Sequence, residues 1–117
     1  MAGTPKTIAG PAYVASSATN IFTPNSALKY TITHIHVTNK DAATRTFTLY
    51  VGATGGSAGG TEIVKDYSLA ATGSSSSSWD YYGQLSLDGS NSNHFLTGIA
   101  SAASTCVITV EGYVSAL

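Results

Sequence analysis

Two histidines, His34 and His36, stand two residues apart within the stretch Leu28 to Asn39. In an extended strand, residues i and i+2 point to the same side, so the two imidazoles share a face. Placed so, they could share a divalent ion such as Zn²⁺ or Ni²⁺, with His94 or a carboxylate as third ligand. The plainer reading is preferred: two half-exposed strand residues, with Ile35 and Val37 turned to the core. Structural zinc normally recruits four ligands, usually including cysteine, and the chain has a single cysteine, Cys106. A histidine pair at a symmetric interface could instead sense pH. No metal and no other cofactor is expected.

The remaining chemistry-bearing residues also read more simply as structure. Asp80 with Asp88, or Glu62 with Asp66, would be the carboxylate pairs for glycoside cleavage. Asp88-Gly89, however, reads as a turn, and Glu62, Lys65 and Asp66 as edge or surface charges. The serine run Ser74–Ser78 lacks a Gly-x-Ser-x-Gly elbow, so it supplies no activated nucleophile. Cys106 is in phase with Ile108 and Val110, the pattern of a buried, inert thiol. The glycines of the 52–60 loop do not lead into a helix, so they make no phosphate cradle. No catalytic residue is assigned, and the chain reads as a non-enzyme.

The aromatics carry more information. By strand phase, Trp79, Tyr81 and Tyr67 belong to the core. Tyr50, Tyr82 and Tyr113 fall on the opposite phase, where an aromatic can stack on a sugar or anchor a protein interface. Tyrosine is also a good former of a solvated strand, and that reading stands beside the first.

The elements that would position these residues are strands. No window shows the i, i+3, i+4, i+7 apolar spacing of a helix, and Thr, Val, Ile and Tyr dominate the structured stretches. Asn20–Thr23 reads as a short strand stopped by a Pro24-Asn25-Ser26 turn. From Leu28 to Asn39 the apolar phase flips: Leu28, Tyr30 and Ile32 share one face, Ile35 and Val37 the other. That flip implies a bulge near Thr33-His34 or a strand buried on both faces. Further strands are expected over Arg45–Val51, Glu62–Ala70, Trp79–Leu87, His94–Ala100 and Thr105–Val114, with turns between. On His94–Ala100, the small Gly98 and Ala100 suit the space between two sheets. Phe95 and Ile99 would then lie on the outer face, as a subunit or shell contact. The opposite assignment, Phe95 and Ile99 inward with Leu96 exposed, is kept open. Residues 1–18, small and polar with Pro5 and Pro11, read as an arm lying on a neighbouring subunit. Residues 19–117 read as one all-β domain, an antiparallel two-sheet, jelly-roll-like β-sandwich of seven to eight strands.

Composition bounds the partners. Charged residues make up 9% of the 117 residues, against about 25% in ordinary soluble domains. A folded 11.9 kDa chain exposes about 5,900 Å², so eleven charges amount to roughly one per 540 Å². The surface is therefore coated with hydroxyls or faces a partner. Five cations, scattered along the chain, supply no basic stripe for nucleic acid. The apolar runs are too short for a membrane-spanning helix, and the start Met1 to Lys6 shows no apolar signal-peptide core.

Several pieces together resemble a group of small bacteriophage virion proteins. They are Asn20-Ile21-Phe22-Thr23-Pro24, Ile35-His36-Val37-Thr38-Asn39 and Thr46-Phe47-Thr48-Leu49. Trp79-Asp80-Tyr81-Tyr82-Gly83, Asp88-Gly89 and Val107-Ile108-Thr109-Val110-Glu111-Gly112 complete the set. The resemblance spans about four-fifths of the chain and implies a structural β-sandwich. The implied role is a capsid decoration (cement) protein on the capsid exterior, made in the host cytoplasm. Its implied partners are the major capsid protein or other virion proteins, and itself as a homo-oligomer, a trimer fitting a shell threefold. A tail-tip or tail-fibre module and a lectin-like carbohydrate-binding module are the alternatives. The serine run and the histidine pair depart from the pattern.

Overall fold

The computed structural model describes residues 4–53 and 61–117. The glycine-rich loop expected over 52–60 lies mostly outside the described residues. Eight strands follow in order: β1 (Thr4–Tyr13), β2 (Thr19–Asn20), β3 (Leu28–Asn39), β4 (Arg45–Gly52), β5 (Glu62–Leu69), β6 (Ser78–Asp88), β7 (Phe95–Ala100) and β8 (Cys106–Ala116). They form two four-stranded antiparallel sheets, ordered β1-β8-β3-β6 and β2-β7-β4-β5. The pairs β1/β8, β2/β7, β3/β6 and β4/β5 are nested, as if one long hairpin had been rolled up. Rolling then brings β3 beside β8 and β4 beside β7. This is the jelly-roll path, and it fulfils the expected fold class.

The core lies between the sheets. Ile32, Ile35, Val37, Leu87, Ile108 and Val110 come from one sheet and Phe47, Leu49, Leu69 and Leu96 from the other, all at most 1% exposed. Each such side chain contributes about 1.5–3 kcal/mol by leaving water. Trp79 closes one end, meeting Phe47 edge-on at a centroid distance of 5.3 Å. Cys106 is fully buried as expected, and burial pushes its thiol up from the ordinary range.

The bulge expected near Thr33-His34 is present. Ile32 pairs with Gly112 of β8 and His34 with Glu111, so two steps along β3 match one along β8. The extra residue turns Ile32, Ile35 and Val37 all inward.

Two expectations need correction. Residues 4–13, expected as part of a separate arm, form β1, the edge strand of their own sandwich, paired with β8 from Thr4↔Val114 to Tyr13↔Val107. Strand β8 would otherwise leave its N–H and C=O groups without ladder partners on that side. Pro5 and Pro11 are compatible with this, because an edge strand has a side that need not donate. Tyr67, expected in the core, is 42% exposed at its rim. It lies opposite the buried Phe47 and two residues before the buried Leu69, so it faces inward, and it is open because β5 is the edge strand of its sheet.

Candidate functional site

The bulge sets the outer face of the β1-β8-β3-β6 sheet. Past it, His34 and His36 point away from the core on β3, a strand held on both sides by β8 and β6. Register supplies their neighbours. His34 sits opposite Tyr82 of β6 and Glu111 of β8, and His36 opposite Asp80 and Thr109.

One carboxylate oxygen joins both rings. Asp80 Oδ1 lies 2.7 Å from His34 Nε2 and 2.8 Å from His36 Nδ1. The far nitrogens are also occupied: His34 Nδ1 is 3.1 Å from Glu111 Oε1, and His36 Nε2 is 2.6 Å from Thr38 Oγ1. Tyr82 stacks flat on His34, with centroids 4.6 Å apart and planes 5° from parallel. His34 therefore has a carboxylate oxygen at each ring nitrogen, an environment that favours the imidazolium. Its pKa is raised, first by the hydrogen bond to Asp80, against some desolvation, with Glu111 adding to the rise. Desolvation pushes Asp80 up, but the hydrogen bonds and charges of His34 and His36 together outweigh it and hold its pKa below the ordinary value.

His94, considered as a third ligand from sequence, is elsewhere. Its Nδ1 accepts the Asp88 backbone N–H at 2.9 Å, tying the turn after β6. The third group is instead Asp80, a carboxylate 44 residues from His36, and no local spacing signal announces it. Asp80 and Asp88 do not assemble into a pair. Asp88 caps its own turn through Ser90, and eight residues of strand put it about 26 Å from Asp80. Asp66 takes up the Thr48 hydroxyl through its backbone N–H.

The five candidate contact residues divide between the sheets. On β7, Leu96, Gly98 and Ala100 are buried, while Phe95 and Ile99 are half-buried on the outer face. Tyr50 of β4 lies opposite Thr97, between Phe95 and Ile99, so these three form one apolar group on the β2-β7-β4-β5 sheet. A hollow of about 110 Å³ adjoins it, lined by residues including Thr48, Asp66, Ile99 and Ser101. Tyr82 and Tyr113 belong to the other sheet. Tyr82 is 74% exposed over His34, and Tyr113 lies between Pro5 and Thr31.

Compared with known proteins, the chain matches no family model, no curated protein and no solved structure.

Proposed function

We propose that this chain is a non-enzymatic structural module that strengthens a larger protein assembly, and that the assembly is a bacteriophage shell. The carrying observation is the group Tyr50, Phe95 and Ile99, neighbours on the outer face of one sheet while the same strand's Leu96, Gly98 and Ala100 fill the core. Large apolar side chains grouped on a sheet surface mark a contact. The scarcity of charge, 9% of the chain, supports the same reading. So does the jelly roll, a fold used by viral capsid proteins, although fold alone never fixes function. A module that binds the assembled shell and not the free coat subunit stabilises the shell by mass action.

The test is the protein's place in the particle. Virions carrying this chain are separated into heads and tails and probed with an antibody to it. The reading expects the chain in the head fraction, in fixed proportion to coat protein. It also expects Phe95→Ser/Ile99→Ser to stay folded and leave the particle. Absence from particles refutes the reading, and recovery with tails assigns the chain to the tail. The exposed Tyr82 favours a carbohydrate-binding alternative, which glycan binding by the isolated chain would support.

A further inference from the structure

We infer that His34 Nε2, His36 Nδ1 and Asp80 Oδ1 form a surface site for a divalent transition ion of borderline class, for which Zn²⁺ is the probe. Three observations carry this. First, the three donor atoms lie within 4.8 Å of one another. An ion bonds such nitrogens and oxygens at about 2.0–2.2 Å, which at tetrahedral angles separates adjacent ligand atoms by roughly 3.3–3.6 Å. Asp80 Oδ1 now stands 2.7 and 2.8 Å from the two nitrogens and would part from each by about 0.5–0.9 Å, while the two nitrogens, within 4.8 Å of each other, would close by up to about 1.5 Å through rotation of the rings.

Second, the supporting contacts are those that ligating histidines use. Such a histidine directs its second nitrogen to a carboxylate, carbonyl or similar acceptor, which fixes its tautomer and aim. Here both second nitrogens are held, that of His34 by Glu111 and that of His36 by Thr38. With the ion bound, His34 donates Nδ1–H to Glu111 and His36 donates Nε2–H to the Thr38 hydroxyl. Any proton on the two inward nitrogens leaves as the ion enters.

Third, the platform is stiff. Both histidines sit on β3, paired on both sides, and Asp80 is directly opposite His36 on β6. Tyr82 stacked on His34 fixes that ring. Two nitrogens and one carboxylate oxygen match zinc, nickel or cobalt better than the all-oxygen sets of calcium and magnesium. The remaining coordination positions face solvent from the outer surface of the sheet.

The experiment titrates ZnCl₂ into the chelator-treated full chain, prepared without a histidine tag, in a non-coordinating buffer at neutral pH. Calorimetry is expected to show one saturating equivalent per chain. His36→Asn and Asp80→Asn should each weaken it tenfold or more, Glu111→Gln by about 10–100-fold as a supporting group, and His94→Gln not at all. A second measurement uses the unaltered chain: zinc should protect His34 and His36, but not His94, from diethyl pyrocarbonate, as mapped by mass spectrometry. The footprint decides if a variant fails to fold. Absence of a saturating equivalent, retention of full affinity by Asp80→Asn, or protection confined to His94 overturns the inference.

Discussion

Substituting Gly98→Ala tests which way β7 faces, and the outer contact depends on that. A Cβ at Gly98 would stand 2.9 Å from Ile21 Cδ1, 3.2 Å from Leu49 Cδ2 and 3.2 Å from Val14 Cγ1. Carbon atoms rest at about 3.5–4.0 Å, so Ile21 must retreat by roughly 0.6–1.1 Å and the other two by at least about 0.3 Å. Val14 and Leu49 are fully buried, with packed neighbours behind them. Overpacking of this kind costs about 1–3 kcal/mol. The lower entropy of an unfolded alanine returns about 0.4–1 kcal/mol. The two ranges combine to a net loss of about 0–2.6 kcal/mol, centred near 1.3 kcal/mol, read from urea denaturation with unchanged m. Ile21→Val removes Cδ1, the nearest obstructing atom. Alone it costs about 0.5–1.5 kcal/mol, but combined with Gly98→Ala the two should be less damaging than their sum. Gly52→Ala is the control: among the described residues its added Cβ meets only Thr61 Oγ1, at 3.9 Å, so it should be neutral or slightly stabilising. A Gly98→Ala chain more stable than the parent by the full entropic return of about 0.4–1 kcal/mol refutes the inward placement of Gly98. So does additivity with Ile21→Val within about 0.3–0.5 kcal/mol.

Asn39→Ala should destabilise the chain by about 1–3 kcal/mol, measured in the same way. The Asn39 side chain is fully buried; Nδ2 donates to the carbonyls of Ala43 at 2.8 Å and Ala70 at 3.0 Å, and Oδ1 accepts the Asp41 N–H at 2.9 Å. A loss below about 0.5 kcal/mol would mean that water replaces the amide there. Arg45→Met should show a pH-dependent deficit. The Arg45 hydrogen bond (Nε to Oδ2, 2.7 Å), aided by the Ala42 N–H, holds the Asp41 carboxyl below its ordinary range. A carboxylate with a depressed folded pKa contributes stability above its unfolded value, and that contribution is lost as pH falls through the folded one. In thermal melts the Arg45→Met deficit should stay level down to about pH 4 and close below it. A deficit that persists unchanged into acid would show that Arg45 acts through packing.

Much of this architecture was legible because strands have a period of two and the core enforces it. The phase flip in Leu28–Asn39 announced the bulge, and the small side chains of Gly98 and Ala100 announced the inner face of β7. What escaped depends on pairing between distant segments. Nothing within Thr4–Tyr13 marks it as the partner of β8, because an edge strand needs no apolar run on either face. In the sequence Asp80 stands out only beside Asp88, as a candidate carboxylate pair, and nothing there ties it to the histidines. Its role follows from the β3–β6 register, which the whole sandwich sets. His94 seemed an equal candidate because sequence shows a third imidazole without showing where it lies. Tyr67 keeps its inward phase opposite Phe47, and its exposure comes from the place of β5 at the sheet edge, which the alternation within one strand does not reveal.

The bulge also explains why one strand can serve core and site at once. In strict alternation Tyr30, Ile32, His34 and His36 would share a face, and Thr31, Thr33, Ile35 and Val37 the other. Either two imidazoles would then enter the core, or Ile35 and Val37, both now fully buried, would be lost from it. The latter would forfeit about 3–6 kcal/mol of burial. One additional residue removes the conflict, and bulges commonly re-aim side chains in this way beside functional sites. The two histidines face outward because Ile35 and Val37 are held inward. Their shared aim is thus backed by the most strongly determined part of the fold, and the rings meet Asp80 as a preset pair.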